Sequence, residues 1–213
     1  MEKHTVSASL TDNTKYMNRA LPVKKSFDII ERNLIIGGQN SAFYFIDGFT
    51  KDETMLKLMD SFLNISADDM PEDATSFSTS CIPYVEVDIL GDFDSIFKNL
   101  LSGVTCLFID GYEAAIAIDC RTYPARGVSE PEKDKVLRGS RDGFVETIVF
   151  NTALMRRRIR DPHLIMEMYE AGTSTRTDVA LCYMSDRVDR ELLTTIQNKL
   201  EESKSQDLKM SQQ

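Results

Sequence analysis

Apolar and polar positions change character near residue 27. Residues 1–20 are polar and weakly patterned and read as a loose lead-in. FDIIERNLII (27–36) then forms a strand-like apolar segment ending at Gly37-Gly38, and SAFYFIDG (41–48) a short aromatic-rich strand closed by Asp47-Gly48. In KDETMLKLMDSFL (51–63), Met55, Leu58, Met59, Phe62 and Leu63 recur at helical spacing, and Thr50 with Glu53 three residues on predicts a capping box.

A polar loop around Pro71 separates this from a second cycle. YVEVDIL (84–90) alternates as a strand, and DFDSIFKNLLSG predicts a helix with an aspartate cap and a stop at Gly103. VTCLFIDG and AAIAIDC supply two more strands. FYFIDG and CLFIDG share an ending, which reads as recurring strand-to-turn chemistry because no wider period accompanies it. Asp47 and Asp110, each before glycine, are therefore expected in turns rather than in catalysis.

Residues 121–139 hold two prolines, two glycines and mixed charge, a linker composition between two subdomains. Ser140 or Asp142 then caps a helix running to about Arg160, where Pro162 forbids continuation. LIMEMYEAG and TDVALCYM follow as strands, RVDRELLTTIQNKLEE as a closing helix, and 203–213 as a frayed tail. The expected fold is α/β of mixed α+β type. It has two small lobes, residues 21–120 and 140–202, each a short sheet with packed helices.

The chain carries 34 Asp and Glu against 25 Lys and Arg, a formal charge of −9. That balance argues against a nucleic-acid partner, which needs a broad positive field. Yet residues 121–160 hold ten Lys and Arg against five Asp and Glu, a local +5, so the rest carries −14. Four cysteines without C-x-x-C spacing, with only His4 and His163 to help, argue against a zinc site, and three of the four lie within or at the end of apolar runs, which predicts buried free thiols. The N-terminus lacks a signal-peptide core and the apolar runs are too short to cross a bilayer, so the chain itself reads as soluble and cytoplasmic.

The basic segment is the best candidate for an interface. In the predicted helix, Val145, Ile148, Val149, Thr152, Met155 and Ile159 line one stripe. Arg157 points away from it while Arg156, Arg158 and Arg160 flank it, a fan that cannot grip one phosphate. Cations in a last turn also complement the helix dipole. With Arg138 and Arg141 upstream, and Glu130, Glu132 and Asp134 in the linker, structural pairing between linker and helix leads. A partner-protein interface comes second, and lipid or nucleic-acid contact last. No phosphate loop, catalytic histidine arrangement or cofactor motif is present, so the reading is not that of an enzyme.

YPARGVSEPEKDKVLRGSRDGFVETIVFNTALMRRRIRDP, continuing through STRTDVALCYMSD, resembles the N-terminal soluble region of the spore germination receptor A subunits, closest to their stage V sporulation AF branch. VKKSFDII and FYFIDGFTKDE agree, and the resemblance covers roughly 22–200. It implies a two-lobed domain on the cytoplasmic side of the spore inner membrane, followed in longer family members by a membrane domain. It also implies assembly or regulation of a germination receptor or channel, with other germination or stage V sporulation membrane proteins or a homo-oligomer as partners. Membrane association would come through partners or a C-terminal domain absent here, and the second lobe would lack elements. An excised domain, a truncated frame and a short relative all remain open. The alternative is a module for a small ligand or anionic lipid headgroups.

Overall fold

The computed structural model describes residues 4–50, 52–122 and 143–205. The order is α1 (Leu10–Ala20), β1 (Ile29–Ile36), β2 (Gln39–Ile46), α2 (Asp52–Leu63), α3 (Ala74–Ser80), β3 (Val87–Leu90), α4 (Phe93–Leu101), β4 (Thr105–Ile109) and β5 (Ala115–Ile118). It continues with α5 (Ile148–Arg158), β6 (Leu164–Ala171), β7 (Thr177–Met184) and α6 (Arg190–Glu202). The fold is mixed α+β. One lobe is a five-stranded antiparallel sheet in the order β1-β2-β4-β5-β3, and the other is the β6–β7 hairpin with α6.

Central strands β4 (TCLFI) and β5 (AIAI) are buried at every position, as continuous apolar runs demand. One face of the sheet packs Tyr44, Ile46 and Phe108 against α1 and α4 through Met17, Phe93 and Leu100. The other packs Phe43, Leu107 and Ile116 against Leu58 and Phe62 of α2 and Phe77 of α3. FYFIDG and CLFIDG are adjacent, because β2 pairs antiparallel with β4 from Ser41↔Ile109 to Tyr44↔Cys106.

Residues 10–20 are not a loose lead-in. Ser9 caps α1 by accepting from the Asp12 N–H, Asp110 Oδ1 accepts from the Leu10 N–H at 2.9 Å, and Leu10, Asn13 and Met17 are buried. The middle position of that stripe is polar, which hides the periodicity. Asn13 is satisfied locally, accepting from the Ser7 N–H and donating to the Ser7 carbonyl. The polar loop near Pro71 likewise contains α3, capped by Asp73 and holding Ala74 and Phe77 inward. The capping box at Thr50 does not form. Its backbone is extended and bridged to Arg121, and its hydroxyl has no hydrogen-bond partner among the described residues.

α5 begins at Ile148, not at 140 or 142. The Asn151 side chain accepts from the Val145 N–H and donates to the Val145 carbonyl, both at 2.7 Å, which holds the lead-in off the helix axis. The proposed caps Ser140 and Asp142, and the linker from residue 123 onward, lie outside the described residues. The tail's start is a short 3-10 turn at Ser203–Ser205. No helix among the described residues is long and apolar enough to cross a membrane.

Candidate functional site

The two lobes meet at α5 and at the segment Lys25–Asp28, which leads into β1. α5 lies on the turn after β2. Gly48 there has φ +78°, and a Cβ on it would stand 3.1 Å from Ala153 Cβ and 3.2 Å from Val149 Cγ1. Only glycine allows both that backbone and that approach. The buried side of the helix is Thr152, Ala153 and Arg156, so the expected apolar stripe through Met155 and Ile159 is replaced. Ile159 is in fact exposed, because the helix stops at Arg158.

Arg156 is fully buried, contrary to its expected place on the flank of the stripe. Its Nε donates to Asp28 Oδ2 at 2.7 Å and its Nη2 to Asp28 Oδ1 at 3.2 Å. Nη1 donates to the Asp161 carbonyl at 3.0 Å and Nη2 also to the Leu164 carbonyl at 2.9 Å. The planar fork thus ties the end of α5, the start of β6 and the entry to β1 in one geometry, which a lysine cannot reproduce. Asp28, also buried, accepts from the Ser26 hydroxyl at 2.5 Å, and that hydroxyl accepts from the Met166 N–H at 2.9 Å. The Phe27 N–H donates to the Met166 carbonyl at 2.9 Å, so 26–28 runs alongside β6.

Glu167 forms a second hub. It accepts from Tyr169 and Tyr183 hydroxyls at 2.7 and 2.8 Å and from Gln197 Nε2 of α6 at 2.8 Å. Lys25 Nζ lies 3.3 Å away and also sits over the Tyr183 ring. Burial pushes the Glu167 carboxyl up, but the donors around it outweigh that and hold it below the usual glutamate range. β6, β7, α6 and the first lobe therefore share one carboxylate.

The other predicted site residues do not gather here. Arg157 is half-buried, Arg158 and Arg160 are exposed, and Arg160 Nε donates to the Arg157 carbonyl. Arg138, Arg141, Glu130 and Glu132 lie outside the described residues, so the linker pairing has no geometry to report. His163 pairs with Asp161 at 2.9 Å, and the Asp161 carboxyl is held low chiefly by the His163 backbone N–H. Among the described residues, no group of three His, Cys, Asp or Glu side chains stands where it could hold a metal. The cysteines are free thiols, and burial pushes Cys106 up to about 12.

Sequence reading missed Lys25, Ser26, Asp28 and Glu167. One signal was present for the two acids. Asp28 stands inside FDII and Glu167 inside LIMEMY, and an ionisable residue within an apolar run needs a dedicated partner.

The Bacillus/Clostridium GerA spore germination protein family matches residues 15–213. The chain is 32% identical over 200 residues to the stage V sporulation protein AF of Bacillus subtilis, covering 93% of this chain and 41% of that protein. It is 28% identical to the spore germination protein KA of the same organism, covering 92% of this chain and 36% of that one. It thus spans about two fifths of the length of these relatives. Among solved structures it shares its fold with the N-terminal domain of the A subunit of the Bacillus megaterium spore germinant receptor GerK3. There the TM-score is 0.69 at 19% identity, over 94% of this chain and 74% of that one. With both lobes inside the matched region, the chain belongs to the Bacillus/Clostridium GerA spore germination protein family.

Proposed function

We propose that this chain is a non-enzymatic domain that assembles or regulates a germination receptor or channel complex at the spore inner membrane, acting by protein contact. One observation carries the reading. A fully buried arginine joins the end of α5, the start of β6 and the entry to β1 through four hydrogen bonds. A directional joint of this kind suits a part that presents surfaces to partners at a set angle. The relatives' names, which are those of germination and sporulation proteins, support the setting. Other germination membrane proteins are the partners this reading favours.

The test uses spores carrying Arg156→Lys or Lys25→Ala in this chain. Arg156→Lys keeps the charge but loses the fork, while Lys25→Ala touches only the half-exposed end of the seam. Both are expected to lower recovery of germination proteins with the tagged chain and to slow germination at unchanged protein level, Arg156→Lys by more. Normal recovery and normal germination in both would overturn the reading.

A further inference from the structure

α1 does not close fully onto the sheet. Between it and the β1–β2 hairpin lies an open cleft of about 310 Å³. Thr11 and Thr14 of α1, Glu31 and Asn33 of β1, Asn40 of β2 and Asp110 contribute to its walls. No Lys, Arg or His stands among the described residues that line it. A cleft of this volume takes only a small ligand.

Two carboxylates mark its ends. Asp110 Oδ1 accepts from the Leu10 N–H at 2.9 Å, and Glu31 Oε2 accepts from Asn18 Nδ2 at 2.9 Å. Leu10 and Asn18 stand about 12 Å apart along α1, at the rise of a regular helix. Neither carboxylate has an ion pair among the described residues.

The Glu31 end is also short of hydrogen-bond donors. Asn18 Oδ1 and the Tyr44 hydroxyl are buried and have no hydrogen-bond partner among the described residues. Tyr44 is fully buried and is the cross-strand partner of Glu31, so the two side chains share one face of the sheet. Burial, with the Glu31 carboxylate beside it, pushes the Tyr44 hydroxyl above the usual tyrosine range, so it keeps its proton. An ionised carboxylate and an amide oxygen only accept, and an ammonium group only donates. A water would fill the open hydrogen-bond positions but leave both carboxylates without a counter-charge.

We propose that this cleft binds a small protonated aliphatic amine, one ammonium group held by Glu31, Asn18 Oδ1 and the Tyr44 hydroxyl, and Asp110 meeting the second ammonium of a diamine. A ligand bearing its own carboxylate fits poorly, because no cation lines the cleft. The site lies within the first lobe and uses none of the residues that join the lobes. Its occupant would fasten α1 to β1.

Putrescine dihydrochloride titrated into the purified chain is expected to bind saturably in calorimetry. Amide resonances of residues 11–18, 31–33 and 110 should shift first. Glu31→Gln keeps the shape and an acceptor for Asn18 but removes the charge, and should weaken binding by about tenfold or more. Tyr44→Phe should weaken binding less and leave the free chain no less stable, since it removes an unsatisfied buried hydroxyl. Circular dichroism checks the fold of both variants. Butanediol, the uncharged analogue of the same chain length, and potassium chloride at equal ionic strength should leave these resonances unmoved. No saturable binding of putrescine up to millimolar concentration, or equal affinity in Glu31→Gln, would overturn the proposal. So would the same shifts from butanediol, which would make the cleft a neutral polar site, or from potassium chloride, which would make it a bare-cation site.

Discussion

The five-stranded lobe and the hairpin lobe are held together by different forces. In the first, two apolar layers sandwich a sheet whose central strands never reach solvent. In the second, the buried apolar cluster among the described residues is the small group Ile165, Tyr183 and Leu193 with Leu181 and Val188 packed on it, and an isolated hairpin is marginal in water. Polar geometry supplies the remainder, from Glu167 inside the lobe and Arg156 at its edge. Apolar burial is tolerant of small shifts, whereas a charge-assisted network holds only one arrangement. The same molecule thus has a robust body and a part whose placement depends on a few atoms.

The sharpest break in this comparison comes from matched substitutions. Phe43→Ala empties part of the first lobe's core and is expected to cost about 3–5 kcal/mol. That loss should lower the stability of every element together in chemical denaturation. Arg156→Met leaves Asp28 buried without its cation, at a similar cost of about 3–5 kcal/mol. Here the loss should fall on the hairpin lobe, and adding Asp28→Leu should return much of it, since removing both charges leaves neither stranded. A double variant no better than the single one would show that the pair is not the joint's main element.

Gly103→Ala is a smaller test on the robust side. Its φ of +101° is strained for alanine and the new Cβ would run into the Phe49 ring. About 1–3 kcal/mol should be lost, read as a lowered midpoint with the hairpin lobe's attachment unchanged.

The finest test is acid. In the folded lobe Glu167 binds protons more weakly than a free glutamate, which titrates near 4.5. Its stabilisation is therefore complete above that pH and is lost as pH falls through the lower folded value. Acid should loosen the hairpin lobe, and Glu167→Gln should flatten that response. An identical acid profile in the variant would remove Glu167 from the account.

The first lobe was legible because β4 and β5 are continuous apolar runs and its helices α2 and α4 have plain stripes. α1 was not, since Asn13 occupies the middle of its stripe and satisfies itself on Ser7. The candidate site was half legible. The arginine cluster stands out in an acidic chain, but which arginine turns inward depends on a partner 128 residues away. Local spacing carries no record of that separation, and with α5 starting late, the stripe drawn for a longer helix was rotated away from Arg156.

Hydrogen exchange tests the central claim most directly. In the unmodified chain, amides of β6, β7 and α6 should open together at a lower free energy than those of β4 and β5. Arg156→Met should lower the first value and leave β4 and β5 unmoved. One shared opening free energy for both lobes, shifting as a whole in the variant, would contradict the account.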